Sequence, residues 1–137
     1  MTPDAAREEL SRRADAIEGG YEMMLAYAAQ GLGTDQGAAN SSQLRDHLAR
    51  FEAALTGLAQ AYRDCAAALG AGPKDALDGF LKTLEADAAT TQAALRLVLA
   101  QPGISSQMID NINASIHVRA LLTDVFIVDE IIKSSKS

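Results

Sequence analysis

The chain predicts an all-α fold, an antiparallel up-down-up-down four-helix bundle with long helices of about equal length. Three observations lead there. Alanine is abundant and β-branched residues gather only near the C-terminus, a composition that favours helix almost throughout. Glycine and proline cluster at a few junctions and divide the 137 residues into four segments. Within each segment apolar residues recur at alternating spacings of four and three, as in helices packed nearly parallel at about 20°.

The first helix is expected over residues 3–30, with Thr2 as N-cap and Pro3 at the first helical position. Its stripe is Leu10, Ala14, Ile17, Tyr21, Met24 and Ala28. Gly31-Leu32 reads as a C′ glycine followed by an apolar residue, the Schellman arrangement. Residues 31–40, GLGTDQGAAN, read as a flexible loop, a second contact surface. The second helix spans 41–69 on Leu44, Leu48, Phe51, Leu55, Leu58, Tyr62, Cys65 and Leu69, and stops at GAGP.

Pro73 opens the third helix, 73–101, whose stripe is Leu77, Leu81, Leu84, Ala88, Thr91, Leu95 and Val98. The fourth spans 105–133 on Ala114, Val118, Leu121, Val125, Val128 and Ile132, with Ile104 stapled to Ile109 and a short tail at 134–137. Each segment is then roughly 42 Å long. Connections of ten residues or fewer favour antiparallel neighbours. The whole chain, 1–137, reads as one domain.

The stretch AIEGGYEMM places two adjacent glycines inside the first helix, each costing about 0.8–1 kcal/mol relative to alanine. The stripe keeps its phase across them, from Ile17 to Tyr21 to Met24, so the helix continues. Gly20 falls on a second line with Ala16, Met23 and Tyr27, where small residues let another backbone come close. That neighbour is either a helix of the same bundle or a second subunit.

The fourth helix favours the second subunit. Beside its core stripe runs another apolar line, Ile109, Ile112, Ile116, Ala120, Ile127 and Ile131, and Leu122 and Phe126 occupy a further side. One chain is expected to hide only one face of such a helix. The excess predicts self-association, most simply a two-fold dimer burying more than about 2,000 Å². The expected interface therefore comprises Ala16, Gly20, Met23, Tyr27, Ile109, Ile112, Ile116, Leu122, Phe126, Ile127 and Ile131.

Matching the helix ends puts Gly20, Tyr21, Thr91 and about Ser115 at one mid-bundle level. With His117 nearby, these form a candidate small-ligand pocket. His117 shares its own face with Asp110, Asn113 and Asp124, which reads as polar and solvated. Paired Glu-x-x-His motifs for a di-iron centre are absent, as are zinc spacings, phosphate loops, dinucleotide fingerprints and nucleophile elbows. No metal, cofactor or catalytic residue is assigned. A haem held by Met24 and His117 suffers from their offset, and Cys65 lies in an apolar stripe as an inert thiol.

A net charge of −6 without a basic cluster argues against nucleic acid. Apolar runs such as Val125–Val128 are too short for a bilayer. The polar start MTPDAAREEL is no signal peptide, and one cysteine fits a reducing compartment, so the expected location is the cytoplasm. The function expected is a non-catalytic homodimer that docks on an unidentified protein partner as adaptor, regulator or assembly factor. A small-molecule or cofactor-binding bundle is the rival.

Overall fold

The computed structural model describes residues 2–134 and contains six helices and, among the described residues, no strand. They are α1 (Pro3–Ala29), α2 (Ser41–Leu55), α3 (Leu58–Leu69), α4 (Lys74–Leu99), α5 (Ser106–Asn113) and α6 (Ile116–Ser134). The all-helical prediction holds. Four uninterrupted helices of equal length do not appear, because the second and fourth segments are each broken once. Of the expected tail, Ser134 ends α6 and residues 135–137 lie outside the described residues.

The first break is at Thr56-Gly57. Thr56 is extended and Gly57 takes φ +75°, a left-handed conformation that glycine adopts without strain. Leu55 and Leu58 flank the break, and both stay buried, so the three-residue spacing conceals it. Carbonyls freed by the break are recaptured from the side. Arg13 of α1 donates from Nη1 to Ala54 O at 2.9 Å and also to Thr56 O, while Glu9 holds its Nε at 3.0 Å. Gln92 of α4 donates from Nε2 to Glu52 O at 3.0 Å and to Thr56 Oγ1 at 2.7 Å.

The second break is at Ala114-Ser115, where the Ser115 hydroxyl accepts the Val118 N–H at 3.3 Å and restarts the helix as α6. The break lets one sequence segment serve two neighbours, for α5 packs on α1 whereas α6 packs on α4. Helices α2 and α3 lie against both α1 and α4. The predicted core stripe of α4 is buried at all seven positions, Leu77 to Val98. In α1 the buried face is centred between the two predicted lines, on Ile17, Gly20, Met24 and Tyr27.

Residues 31–40 are tied down rather than free. Asp35, 1% exposed, accepts from Ile104 N at 2.7 Å, Ser41 Oγ at 2.7 Å and Arg45 Nε at 2.7 Å. Arg45 also reaches the Gln101 carbonyl at 3.1 Å, and Gln36 Nε2 donates to Pro102 O at 2.9 Å. Two loops far apart in sequence thus share one buried carboxylate. Gly31 adopts φ +67° as the Schellman reading requires, but the Leu32 N–H goes to Ser106 Oγ at 2.9 Å. Ser106 Oγ in turn donates to Tyr27 O at 2.7 Å.

Candidate functional site

Several residues assigned to a subunit interface are used inside the chain. A Cβ on Gly20 would lie 2.6 Å from Phe51 Cδ2 and 2.7 Å from Phe51 Cβ, so the glycine admits a ring from α2. The close neighbour is a helix of the same chain. Tyr27 is wholly buried, and its hydroxyl donates to Ile104 O at 2.6 Å. Ile109 is wholly buried because the break at Ser115 frees α5 to turn it inward. Ala16, Met23, Ile112 and Leu122 are half-buried against the core. Ile131 is half-buried too, with its Cγ2 3.6 Å from where a Gly72 Cβ would stand.

The mid-bundle pocket does not assemble. Phe51 fills the space beside Gly20. The Thr91 hydroxyl is committed to Asp87 O at 2.9 Å and His117 O at 3.2 Å, joining α4 to the start of α6. The imidazole of His117 belongs to an exposed residue, and Tyr21 is half-buried. A cavity of about 570 Å³ does lie between α3 and α4, with Ala66, Ala71, Leu77 and Leu81 among its walls and Arg63 and Lys74 at its edge. None of Gly20, Tyr21, Thr91 and His117 lines it. Among the described residues no group of three or more His, Cys, Asp or Glu is placed to hold a metal ion. No described helix is long and apolar enough to cross a membrane.

Apart from Leu25 of α1 and Met108 of α5, the exposed large apolar side chains of the described residues belong to α4 and α6. Ile116 is 76% exposed and Ile127 43%; Phe126, also exposed, lies to one side of them. Ile116, Ala120, Thr123 and Ile127 fall on one line of α6 at spacings of four, three and four. Sequence reasoning passed over its counterpart. Thr83, Ala86, Thr90, Ala93 and Leu97 are all exposed, follow one line of α4 at alternating three and four, and include no charge. Leu97 is 67% exposed. The signal was available: an exposed helix line five positions long without a charge is unusual for a solvated face.

Between these two lines runs the α4–α6 seam, and it holds carboxyl groups. Asp124, expected on a solvated face, is 7% exposed. Burial, then the Asp87 carboxyl of α4, push the Asp124 carboxyl up to about 7. A turn further on, Tyr62 of α3 donates its hydroxyl to Asp129 Oδ1 at 2.8 Å. Burial raises the Tyr62 phenol well above its ordinary range and also raises Asp129, against the Tyr62 hydrogen bond and Lys133, which act to lower it. No protein-family model, curated protein or solved structure matches this chain.

Proposed function

We propose that this protein is a non-catalytic interaction module that pairs with a second copy of itself through the α4–α6 face and, as such, serves an unidentified protein partner. The observation that carries this reading is two uncharged helix lines at heptad spacing, Thr83 to Leu97, exposed throughout, and Ile116 to Ile127, exposed but for the half-buried Ala120. Each presents small residues flanked by a large aliphatic one, the surface on which helices approach closely. A two-fold axis along the seam would lay α4 of one copy on α6 of the other and cover Ile116, Leu97 and Ile127 together. The four sequence segments, two of them broken, would then form an up-down-up-down bundle whose third member meets the fourth of the other copy.

Size tempers the sequence expectation. The lines run roughly 21 Å along α4 and roughly 17 Å along α6, which corresponds to about 1,000 Å² buried in total at most. That is the low end of specific interfaces, so a reversible dimer is expected in place of an obligate one. Sedimentation of the wild type from about 1 to 500 µM, the range suited to a weak pair, should show the mass rising toward twice the chain mass. The double variant Ile116→Glu, Ile127→Glu should stay monomeric with unchanged helical circular dichroism, because neither side chain is in the core. Ile131→Glu is no substitute, since Ile131 is half-buried beside Gly72. A wild type of single-chain mass throughout would defeat the reading.

A further inference from the structure

We propose that α6 is an exchangeable arm, hinged at Ala114-Ser115, which leaves its own α4 and docks on α4 of a second copy of this chain. The inference goes beyond pairing through the outer face of α4 and α6. The surface used is the inner one, and its occupant is the same helix supplied by the other copy. The two breaks in the fold differ in what holds them. At Thr56-Gly57 the backbone turns through a left-handed glycine, and Arg13 and Gln92 hold the carbonyls of Glu52, Ala54 and Thr56. At Ala114-Ser115 there is neither glycine nor proline, and Ala114 keeps a near-helical φ of −81° and ψ of −7°. The turn tightens there, with Ser115 N–H donating to Ile112 O at 3.0 Å. Val118 N–H takes Ser115 Oγ in place of the Ala114 carbonyl that a continuous helix would offer. Just before the break, Asn113 Oδ1 is buried and accepts no hydrogen bond.

The local sequence therefore favours one straight helix, and tertiary packing bends it. Residues 113–118, NASIHV, contain nothing that stops a helix. The apolar line Ile109, Ile112, Ile116 and Ala120 runs through the break in phase. The bend buries Ile109 in α5 together with Val118, Leu121, Val125, Val128 and Ile132 in α6, and leaves Ile116 in solvent. The two halves are anchored unequally. Helix α5 is fastened to α1, where Ser106 Oγ donates to Tyr27 O at 2.7 Å and Ile109 is wholly buried. Helix α6 leans chiefly on α4, where Thr91 Oγ1 reaches His117 O at 3.2 Å, and Tyr62 of α3 reaches Asp129 Oδ1 at 2.8 Å. Once α5 and α6 straighten, α6 projects as an arm roughly 28 Å long. The α4 surface it vacates is shaped for an identical helix. A second copy's arm restores the same contacts between chains and removes one bend from each, which offsets the entropy of association.

The background Leu97→Glu, Ile127→Glu blocks pairing through the outer face, where both side chains are exposed, so the two readings fail separately. The full chain in that background is refolded from urea at about 500 µM and at about 1 µM. Size exclusion after dilution should show a persistent dimer from the concentrated sample and single chains from the dilute one, because undoing the exchange requires α6 to detach. In a dimer refolded from labelled and unlabelled chains, isotope-filtered NMR should place Thr91 of one copy against His117 of the other. Ser115→Ala removes the hydroxyl acceptor of the bent form and adds helix propensity to the straight one. With two hinges per dimer, the dimer-to-monomer ratio should rise at least about tenfold. Ile116→Pro is tolerated at the first position of α6 but sets its ring against the Ile112 carbonyl of a straight helix. It should abolish the dimer while the monomer keeps its helical circular dichroism. No persistent dimer at the higher concentration, a dimer untouched by Ile116→Pro, or Thr91–His117 contacts confined to single chains overturns the proposal. An unchanged ratio in Ser115→Ala, which needs no proline variant to fold, overturns it as well.

Discussion

Asp35→Ala is expected to lower stability by about 2–3 kcal/mol, and the melting temperature by about 6–10 °C for a chain of this size. The carboxylate is buried and accepts from the Ile104 N–H, the Ser41 hydroxyl and two nitrogens of Arg45. Arg45 is partly solvated, its side chain 31% exposed, and keeps the Gln101 and Pro102 carbonyls, so it is not left stranded. The loss falls instead on the Ile104 N–H, buried without an acceptor, and on residues 31–40, which lose one of their ties to the loop before α5 and keep those from Leu32 and Gln36. Asp35→Asn should be nearly as damaging, because its amide nitrogen must face another donor.

Acid separates this explanation from a simple packing defect. The Arg45 hydrogen bond, followed by those from Ile104 and Ser41, holds the Asp35 carboxyl well below the usual carboxylate range despite its burial. A depressed group contributes its full stabilisation above the ordinary value near 3.9 and loses it as pH falls toward the folded value. Urea unfolding at pH 7 and pH 2.5 should therefore show the gap between wild type and Asp35→Ala narrowing in acid. A gap that is constant with pH, or a melting temperature within about 3 °C of wild type, contradicts the assignment.

Asp35 also shows where sequence reasoning stops. In GLGTDQGAAN nothing distinguishes a carboxylate that will be buried from one that stays in water. Its partners lie ten residues away at Arg45 and 69 away at Ile104, and only the finished fold brings them together. Asp124 is the same case, read as solvated beside His117 because its burial depends on how α6 is rotated against α4. Heptad spacing is a local property, and it was legible: Leu44 to Cys65 and Leu77 to Val98 are buried as their periodicity requires. The helix breaks were not legible for a related reason. Leu55 and Leu58 keep phase across a left-handed glycine, and Ser115 looks like any polar residue within an apolar segment. On the candidate face, Ile116, Phe126 and Ile127 stood out by hydrophobicity, whereas Thr83, Ala86 and Thr90 become informative only once all are seen to be exposed.

The two glycines of AIEGGYEMM are expected to respond to alanine with opposite signs. At Gly20 the new Cβ would sit 2.6, 2.7 and 2.9 Å from Phe51 Cδ2, Cβ and Cγ. Rotating the ring cannot relieve the middle contact, since Cβ is fixed to the α2 backbone; α1 and α2 must separate. Overpacking of this kind costs about 1–3 kcal/mol, and a backbone-limited clash belongs at the upper end. Improved helix propensity returns about 1 kcal/mol, leaving Gly20→Ala less stable by about 2 kcal/mol. One position earlier, a Cβ on Gly19 meets only the His47 ring, with Nδ1 at an ordinary 3.4 Å and Cε1 at 3.6 Å, so the propensity gain survives and Gly19→Ala is stabilised by up to about 1 kcal/mol. Phe51→Leu in the Gly20→Ala background keeps the offending Cβ but removes the ring contacts, and should recover part of the loss. Denaturant midpoints for the three variants decide the matter. Equal effects at the two glycines would mean that Gly20 is not the point where α1 and α2 touch.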